Sequence, residues 1–244
     1  MKKLYEKNEL NFALMWIGIY VVAFSLGENI SAAVGVAKSV TTPLCLIITG
    51  ILYYWIRQCG LQEKYGLCKI EGTVESWLYF IPLALLVSTN VWGGLRMNLS
   101  VLESVLHVIS MLGVGFLEEI IFRGFLFKAM SKTSVKSAIL VSSLTFGMGH
   151  IVNLLNGRDV LETLLQLCYA CAIGFVFVII FYVGKSLWPC IITHAAVNIL
   201  SAFSNQEIAS VSRSVFAAVF LCVVSFGYAA YILKKNSVHL MDGV

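Results

Sequence analysis

The chain has 244 residues, of which 59% are hydrophobic and 12% charged, and its mean hydropathy is +0.87. A soluble domain carries about 25% charged residues, so this composition excludes a water-exposed globule. The net charge is only +4 and no face collects a basic run, which excludes a nucleic-acid partner.

Eight apolar segments predict transmembrane helices along the whole chain. A spanning helix needs about 20 mostly apolar residues. The segment at 77–92 is the least secure because it contains Pro82 and Asn90, so seven spans is the alternative count. The fold predicted is an all-α polytopic membrane helix bundle of about eight transmembrane helices, forming a single integral membrane domain over residues 1–244. The segments are 11–36, 43–56, 77–92, 101–127, 137–152, 160–183, 187–203 and 212–233.

The distribution of positive charge predicts the orientation. Lys and Arg are enriched in cytoplasmic loops, and a cytoplasmic N-terminus places twelve of them inside and four outside. Both termini are therefore predicted to be cytoplasmic, with an uncleaved first span and a cytoplasmic loop at 57–76 whose part at 61–67 lies on the membrane surface. The inside set is Lys2, Lys3, Lys7, Arg57, Lys64, Lys69, Lys128, Lys132, Lys136, Lys185, Lys234 and Lys235, and the outside set is Lys38, Arg96, Arg158 and Arg213.

The seven cysteines are scattered and lie mostly within the predicted spans. They are expected to be small apolar fillers and form neither a disulfide framework nor a zinc site. Cys168-x-x-Cys171 has a redox spacing, but it lies on a buried helix without the βα context of redox proteins.

Three polar pairs interrupt the apolar segments. Glu119 precedes Arg123, Phe146 precedes His150 and His194 precedes Asn198, each by four residues. Residues four apart share one face of a helix. Ionisable residues in a bilayer interior are costly and mark a functional site by default. We therefore predict a reaction centre on three helices.

The first pair is extended by a second carboxylate. Glu119 four residues before Arg123 favours an ion pair, which leaves Glu118 as an unpaired acid suited to general-base catalysis. The alternative role for Glu119 and Arg123 is a buried pair that only fixes helix packing. His150 alone is also typical of an interfacial histidine, and His194 with Asn198 of interhelical hydrogen bonding. Phe146 is expected only to pack.

The depths of these residues predict a shared cavity. At 1.5 Å per residue, Glu118, His194 and His150 lie roughly 15, 14 and 21 Å below the cytoplasmic boundary. We therefore expect a cytoplasm-facing cavity that reaches mid-membrane and joins all three.

The three motifs carry a family resemblance. Glu118-Glu119-x-x-x-Arg123, Phe146-x-x-x-His150 and His194-x-x-x-Asn198 resemble those of the CPBP (ABI) family, which contains CAAX prenyl endopeptidases and bacterial bacteriocin-processing and self-immunity membrane proteins. The run from Gly184 to Pro189 is similar to the family's lead-in to the third motif. The resemblance covers residues 113–200, which form the expected catalytic core, and the first hundred residues match only as hydrophobic spans.

The resemblance implies an intramembrane endopeptidase acting near the cytoplasmic leaflet. Glu118 would activate a water with the help of His150, and His194 and Asn198 would stabilise the oxyanion. Glu119 and Arg123 would support the site. No metal is required in this interpretation; the alternative is a divalent metal such as zinc on Glu118, His150 and His194. The sequence lacks the His-Glu-x-x-His, Gly-x-Ser-x-Gly and Gly-x-Gly-Asp protease motifs.

Two other functions remain open at the level of sequence. The first is a non-catalytic bacteriocin-immunity or partner-binding membrane protein that keeps the polar network for folding. The second is a transporter, suggested by Glu28, Glu103 and Glu162, although no pair of broken helices is evident. The expected partners are the lipid bilayer and a peptide or membrane-protein substrate, and the expected location is a bacterial plasma membrane, which disfavours prenylated substrates. The substrate's identity and the oligomeric state are not predicted.

Overall fold

A computed structural model describes residues 1–69, 80–155, 157–205, 207 and 210–236. Their regular structure is helical, and one isolated bridge joins Leu95 and Ser204. In chain order the helices are α1 (Lys2–Lys7), α2 (Glu9–Val34), α3 (Thr41–Gln58), α4 (Ile81–Ser88), α5 (Val101–Glu119), α6 (Val135–Met148), α7 (Val160–Gly184), α8 (Trp188–Ser201) and α9 (Val211–Lys235).

Three of these helices continue in a different helical geometry. A π-helical segment, Ile120–Phe127, and a last turn, Lys128–Met130, extend α5. A 3₁₀ turn, Gly149–Ile151, and the turn Val152–Leu155 extend α6, and a 3₁₀ turn, Thr89–Val91, follows α4. Such turns within helices often mark functional sites, and here the extension of α5 contains Arg123 and the extension of α6 contains His150.

Polar residues begin most of the long helices. Ser100 and Glu103 form a capping box at the start of α5, in which each side chain satisfies a free backbone N–H of the first turn. Asn8, Ser134, Asp159 and Ser210 cap α2, α6, α7 and α9 in the same position. These caps explain why helices begin at these points.

The predicted helical membrane bundle is confirmed. In the described part of the chain, five helices are long and apolar enough to cross a membrane: Glu9–Val34, Val101–Met130, Val135–Leu154, Val160–Gly184 and Val211–Lys235. Shorter apolar helices cover Ile81–Val91 and Trp188–Ser201. The count of eight spans and the cytoplasmic location of the termini stay predictions. The start of the predicted segment 77–92 and the loop residues 70–76 lie outside the described residues.

Contacts between connections define two ends of the bundle. At one end the Lys64 and Lys132 ammonium groups each lie 2.8 Å from Glu9 Oε1, and the Leu187 N–H donates to the Gly66 carbonyl. Burial alone would lower the pKa of Lys64, but hydrogen bonds to Glu9 and Tyr5 outweigh it and raise that pKa. We call this end, with the connections 59–69, 131–134 and 185–187, the basic end.

The opposite end holds the other set of connections. The Ala37 N–H donates to Glu103 Oε1 over 3.0 Å, and the Arg96 N–H donates to the Phe203 carbonyl over 2.7 Å. We call this end, with the connections 35–40, 92–100, 157–159 and 202–205, the distal end. The helices α2, α3 and α5 to α9 therefore each have one terminus at either end of the bundle.

Glycine brings the motif-bearing helices close together. A Cβ on Gly115 would lie 3.0 Å from the Ala195 Cβ and 3.0 Å from the Ile191 carbonyl, so α5 and α8 pack with almost no space between them. A Cβ on Gly147 would lie 2.8 Å from the Cys171 backbone nitrogen, which shows the same for α6 and α7. Small residues permit such close backbone approach between membrane helices. These contacts place Glu118 and Glu119 beside His194.

Candidate active site

An ion pair between Glu119 and Arg123 forms the deepest part of the site. Both side chains are fully buried, and Arg123 Nη1 donates to Glu119 Oε1 over 3.0 Å. The guanidinium carbon lies 4.0 Å from the centre of the Phe146 ring, a cation–π contact. Among the described residues, no acceptor takes a hydrogen bond from Arg123 Nε or Nη2. The pair predicted from the spacing is therefore present in the interior.

His194 joins this pair to the second carboxylate. Its Nδ1 lies 2.8 Å from Glu119 Oε1, and its Nε2 lies 3.6 Å from Glu118 Oε2. A neutral imidazole donates from one nitrogen only, and the imidazolium donates from both. With Nδ1–H directed at Glu119, Nε2 is the nitrogen that faces Glu118.

Glu118 has a partner that the motifs do not contain. Its Oε1 accepts a hydrogen bond from the Tyr20 hydroxyl over 2.5 Å, and its side chain is 14% exposed. As predicted, Arg123 pairs with Glu119 and not with Glu118. The prediction that Glu118 is unpaired is nevertheless wrong, because Tyr20 on α2 donates a hydrogen bond to it. The sequence pattern does not reveal this donor.

His150 and Asn198 lie nearby but do not bond to the two carboxylates. His150 Nδ1 is 3.3 Å from the Gln166 side-chain nitrogen. The Phe146 ring meets the His150 and His194 rings edge-on, with centroid distances of 5.9 and 5.4 Å. The backbone carbonyl of Asn198, not its side chain, lies 3.1 Å from His107 Nε2.

A cavity of about 700 Å³ lies beside the two histidines of the motifs, and Glu118 is not among its lining residues. Its walls include His107, His150, His194 and Asn198, together with Phe146. The lining residues near helix ends all lie in the connections of the distal end or in the helix turns next to that end. They are Lys38, Thr89, Asn90, Arg158, Glu162, Ser201, Ala202, Ser204 and Ser214.

The position of the cavity bears on the expectation that it faces the cytoplasm. The cavity lies toward the distal end. If the basic end is cytoplasmic, as the charge distribution predicts, the cavity faces the other side of the membrane.

Glu118, His150 and His194 are not arranged as the alternative metal site requires. No group of three or more His, Cys, Asp or Glu side chains in the described residues is arranged to hold a metal ion. Glu118 and His194 approach each other, whereas the His150 Nδ1 contacts Gln166 and the Phe146 ring touches both imidazoles. The described geometry therefore does not bring Glu118, His150 and His194 together as ligands of one ion.

The motifs miss three residues of the site. His107 precedes Glu118 by eleven residues, which is close to three helical turns, so both lie on one face of α5 and the spacing was a usable signal. Gln166 is recognisable only as a polar residue in an apolar helix. Tyr20 has no signal in the sequence, because α2 carries no motif.

The fold and the centre define a polytopic helical membrane protein with a buried acid–imidazole site. Residues 100–200 match the family model described as Type II CAAX prenyl endopeptidase Rce1-like. The predicted resemblance to the CPBP family is thereby confirmed over the segment that carries all three motifs, and it indicates an activity like that of the CAAX intramembrane proteases. A comparison with curated proteins finds no match.

Proposed function

We propose that this protein is an intramembrane endopeptidase that hydrolyses a peptide bond with water activated by Glu118. The observation that carries the proposal is the Glu118 carboxylate, held by Tyr20 over 2.5 Å and facing His194 Nε2 at 3.6 Å, beside the buried Glu119–Arg123 pair. The family match to residues 100–200 supports the same reaction class.

In the proposed reaction Glu118 accepts a proton from water while the water oxygen attacks the peptide carbonyl carbon. General-base catalysis of this kind raises the reaction rate roughly 10²–10⁴-fold. His150, across the cavity, assists by orienting the water. The carbon–nitrogen bond then breaks, and the proton held by Glu118 passes to the departing amine.

His194 and Asn198 stabilise the oxyanion in this proposal. The Asn198 side-chain amide and the His194 ring lie on one helix beside the cavity, and in this proposal both donate hydrogen bonds to the oxyanion. A positioned donor of this kind raises kcat about 10²–10³-fold. Glu119 holds His194 Nδ1 over 2.8 Å, and Arg123 neutralises Glu119, so this pair orients the imidazole.

We propose a peptide or membrane-protein segment as the substrate, entering from the distal end. The cavity supports this direction because its polar rim consists of residues from that end. Together with the charge distribution, this moves the proposed cleavage from the cytoplasmic leaflet to the opposite side of a bacterial plasma membrane.

The test compares peptides from cells that carry the wild type, Glu118→Gln or His194→Ala. An uncleaved precursor should accumulate with both variants, and the purified variants should not cleave that precursor. Glu63→Gln is a matched control because Glu63 is an exposed acid in the connection at 59–69. Full activity in both site variants would reject the mechanism. Correctly inserted variants that keep their biological role without cleavage would favour the non-catalytic alternative.

A further inference from the structure

The contact between Tyr20 and Glu118 assigns a role to the first long helix. Tyr20 lies on α2, outside residues 100–200 that match the family model, yet its hydroxyl lies 2.5 Å from Glu118 Oε1. We infer that Tyr20 is a positioning residue that fixes the Glu118 carboxylate for catalysis. This inference rests on the proposed function.

The two oxygens of Glu118 have different surroundings. Oε1 accepts the Tyr20 hydrogen bond, whereas Oε2 lies 3.6 Å from His194 Nε2, beyond a direct hydrogen bond. Among the described residues, Tyr20 is therefore the hydrogen-bond donor that restrains the carboxylate. A carboxylate rotates freely about its last torsion unless it is held. The Tyr20 bond thus holds the carboxylate with Oε2 toward His194.

The surroundings of Tyr20 separate this role from packing. The Tyr20 ring packs on Phe24 at a centroid distance of 4.3 Å, and both residues line a second cavity of about 690 Å³. Removal of the hydroxyl alone keeps the ring and its contact with Phe24. The ring supplies the packing, and the oxygen supplies the contact with Glu118.

Tyr20→Phe tests the inference because it removes only the hydroxyl. Loss of a hydrogen bond to a charged acceptor should lower kcat about tenfold to a hundredfold and leave KM within about twofold. Tyr54→Phe is the matched control, because it makes the same change on a tyrosine that is 65% exposed, and it should leave kcat unchanged. An unchanged kcat in Tyr20→Phe, or a loss confined to KM or to the yield of folded protein, would overturn the role.

An infrared measurement separates this inference from the proposed function. The carboxyl stretching band that disappears in Glu118→Gln should change frequency in Tyr20→Phe, whether or not the protein cleaves peptides. A band at the same frequency in wild type and Tyr20→Phe would overturn the contact itself. A shifted band in a protein without peptidase activity would keep the contact, and would reject the proposed function and with it the catalytic role of Tyr20.

Discussion

The Glu119–Arg123 pair offers a test that separates folding from catalysis. The two side chains are fully buried and their charged atoms are 3.0 Å apart. With an effective dielectric constant of about 20, two unit charges at this distance attract by about 5.5 kcal/mol. Removal of one partner leaves the other charge buried and uncompensated, which typically costs about 3–5 kcal/mol. We expect that loss for Glu119→Gln and for Arg123→Met.

The double variant should behave differently. Replacing both partners of a buried ion pair is often neutral for stability, so Glu119→Gln with Arg123→Met should be more stable than either single variant. Its activity should nevertheless stay at least about tenfold below wild type, because His194 Nδ1 loses its charged acceptor at 2.8 Å.

The assay combines unfolding in mixed micelles with peptide cleavage for the wild type, both single variants and the double variant. The pair Lys2–Glu6 is the control, since it also spans four residues but lies 3.8 Å apart with side chains 72% and 58% exposed. Glu6→Gln should change the free energy of unfolding by less than about 1 kcal/mol. A double variant that loses the full sum of the single losses would refute the reasoning about the buried pair. Recovery of wild-type activity in the double variant would refute the role of Glu119 in orienting His194.

Three further predictions concern packing, metal and access. Gly147→Ala should lower the free energy of unfolding by about 1–3 kcal/mol, because the new Cβ would lie 2.8 Å from the Cys171 nitrogen. Gly149→Ala is the control: no atom lies within 4 Å of its Cβ, so the free energy of unfolding should change by less than about 0.5 kcal/mol. Equal effects of the two variants in an unfolding assay would contradict the close packing of α6 and α7. Cleavage by the purified protein should survive EDTA and dialysis, and a loss that zinc restores would contradict a mechanism based on glutamate alone. In a variant without native cysteines, a membrane-impermeant maleimide added outside intact cells should label Arg158→Cys but not Lys132→Cys; the reverse pattern would place the cavity mouth in the cytoplasm.

The helices were predictable because a bilayer permits few backbone structures. Backbone groups without water must bond within their own segment, so a long apolar run becomes a helix. The predicted segments 160–183 and 212–233 agree with Val160–Gly184 and Val211–Lys235 to within about two residues. The π-helical segment after Glu119 and the 3₁₀ turn at His150 were not predicted, because such changes depend on neighbouring helices and not on apolar periodicity.

The site was predictable only where its residues share a helix. The spacing of four residues anticipated the contact of Glu119 with Arg123, which is local. The contacts of His194 with Glu119 and of Tyr20 with Glu118 join residues 75 and 98 positions apart, and no periodicity carries that information. The end of the bundle toward which the cavity lies is also a product of helix packing, which depth along single helices does not give.

Phe146 shows why an apolar residue belongs to a polar motif. It was expected only to pack, yet its ring lies 4.0 Å from the Arg123 guanidinium and meets both His150 and His194 edge-on. A second ring, Phe177, lies 5.6 Å from the same guanidinium. Aromatic faces stabilise a cation that water cannot reach. Phe146 and Phe177 thus help to stabilise the Arg123 guanidinium in the interior, where it pairs with Glu119, and Glu119 in turn contacts His194.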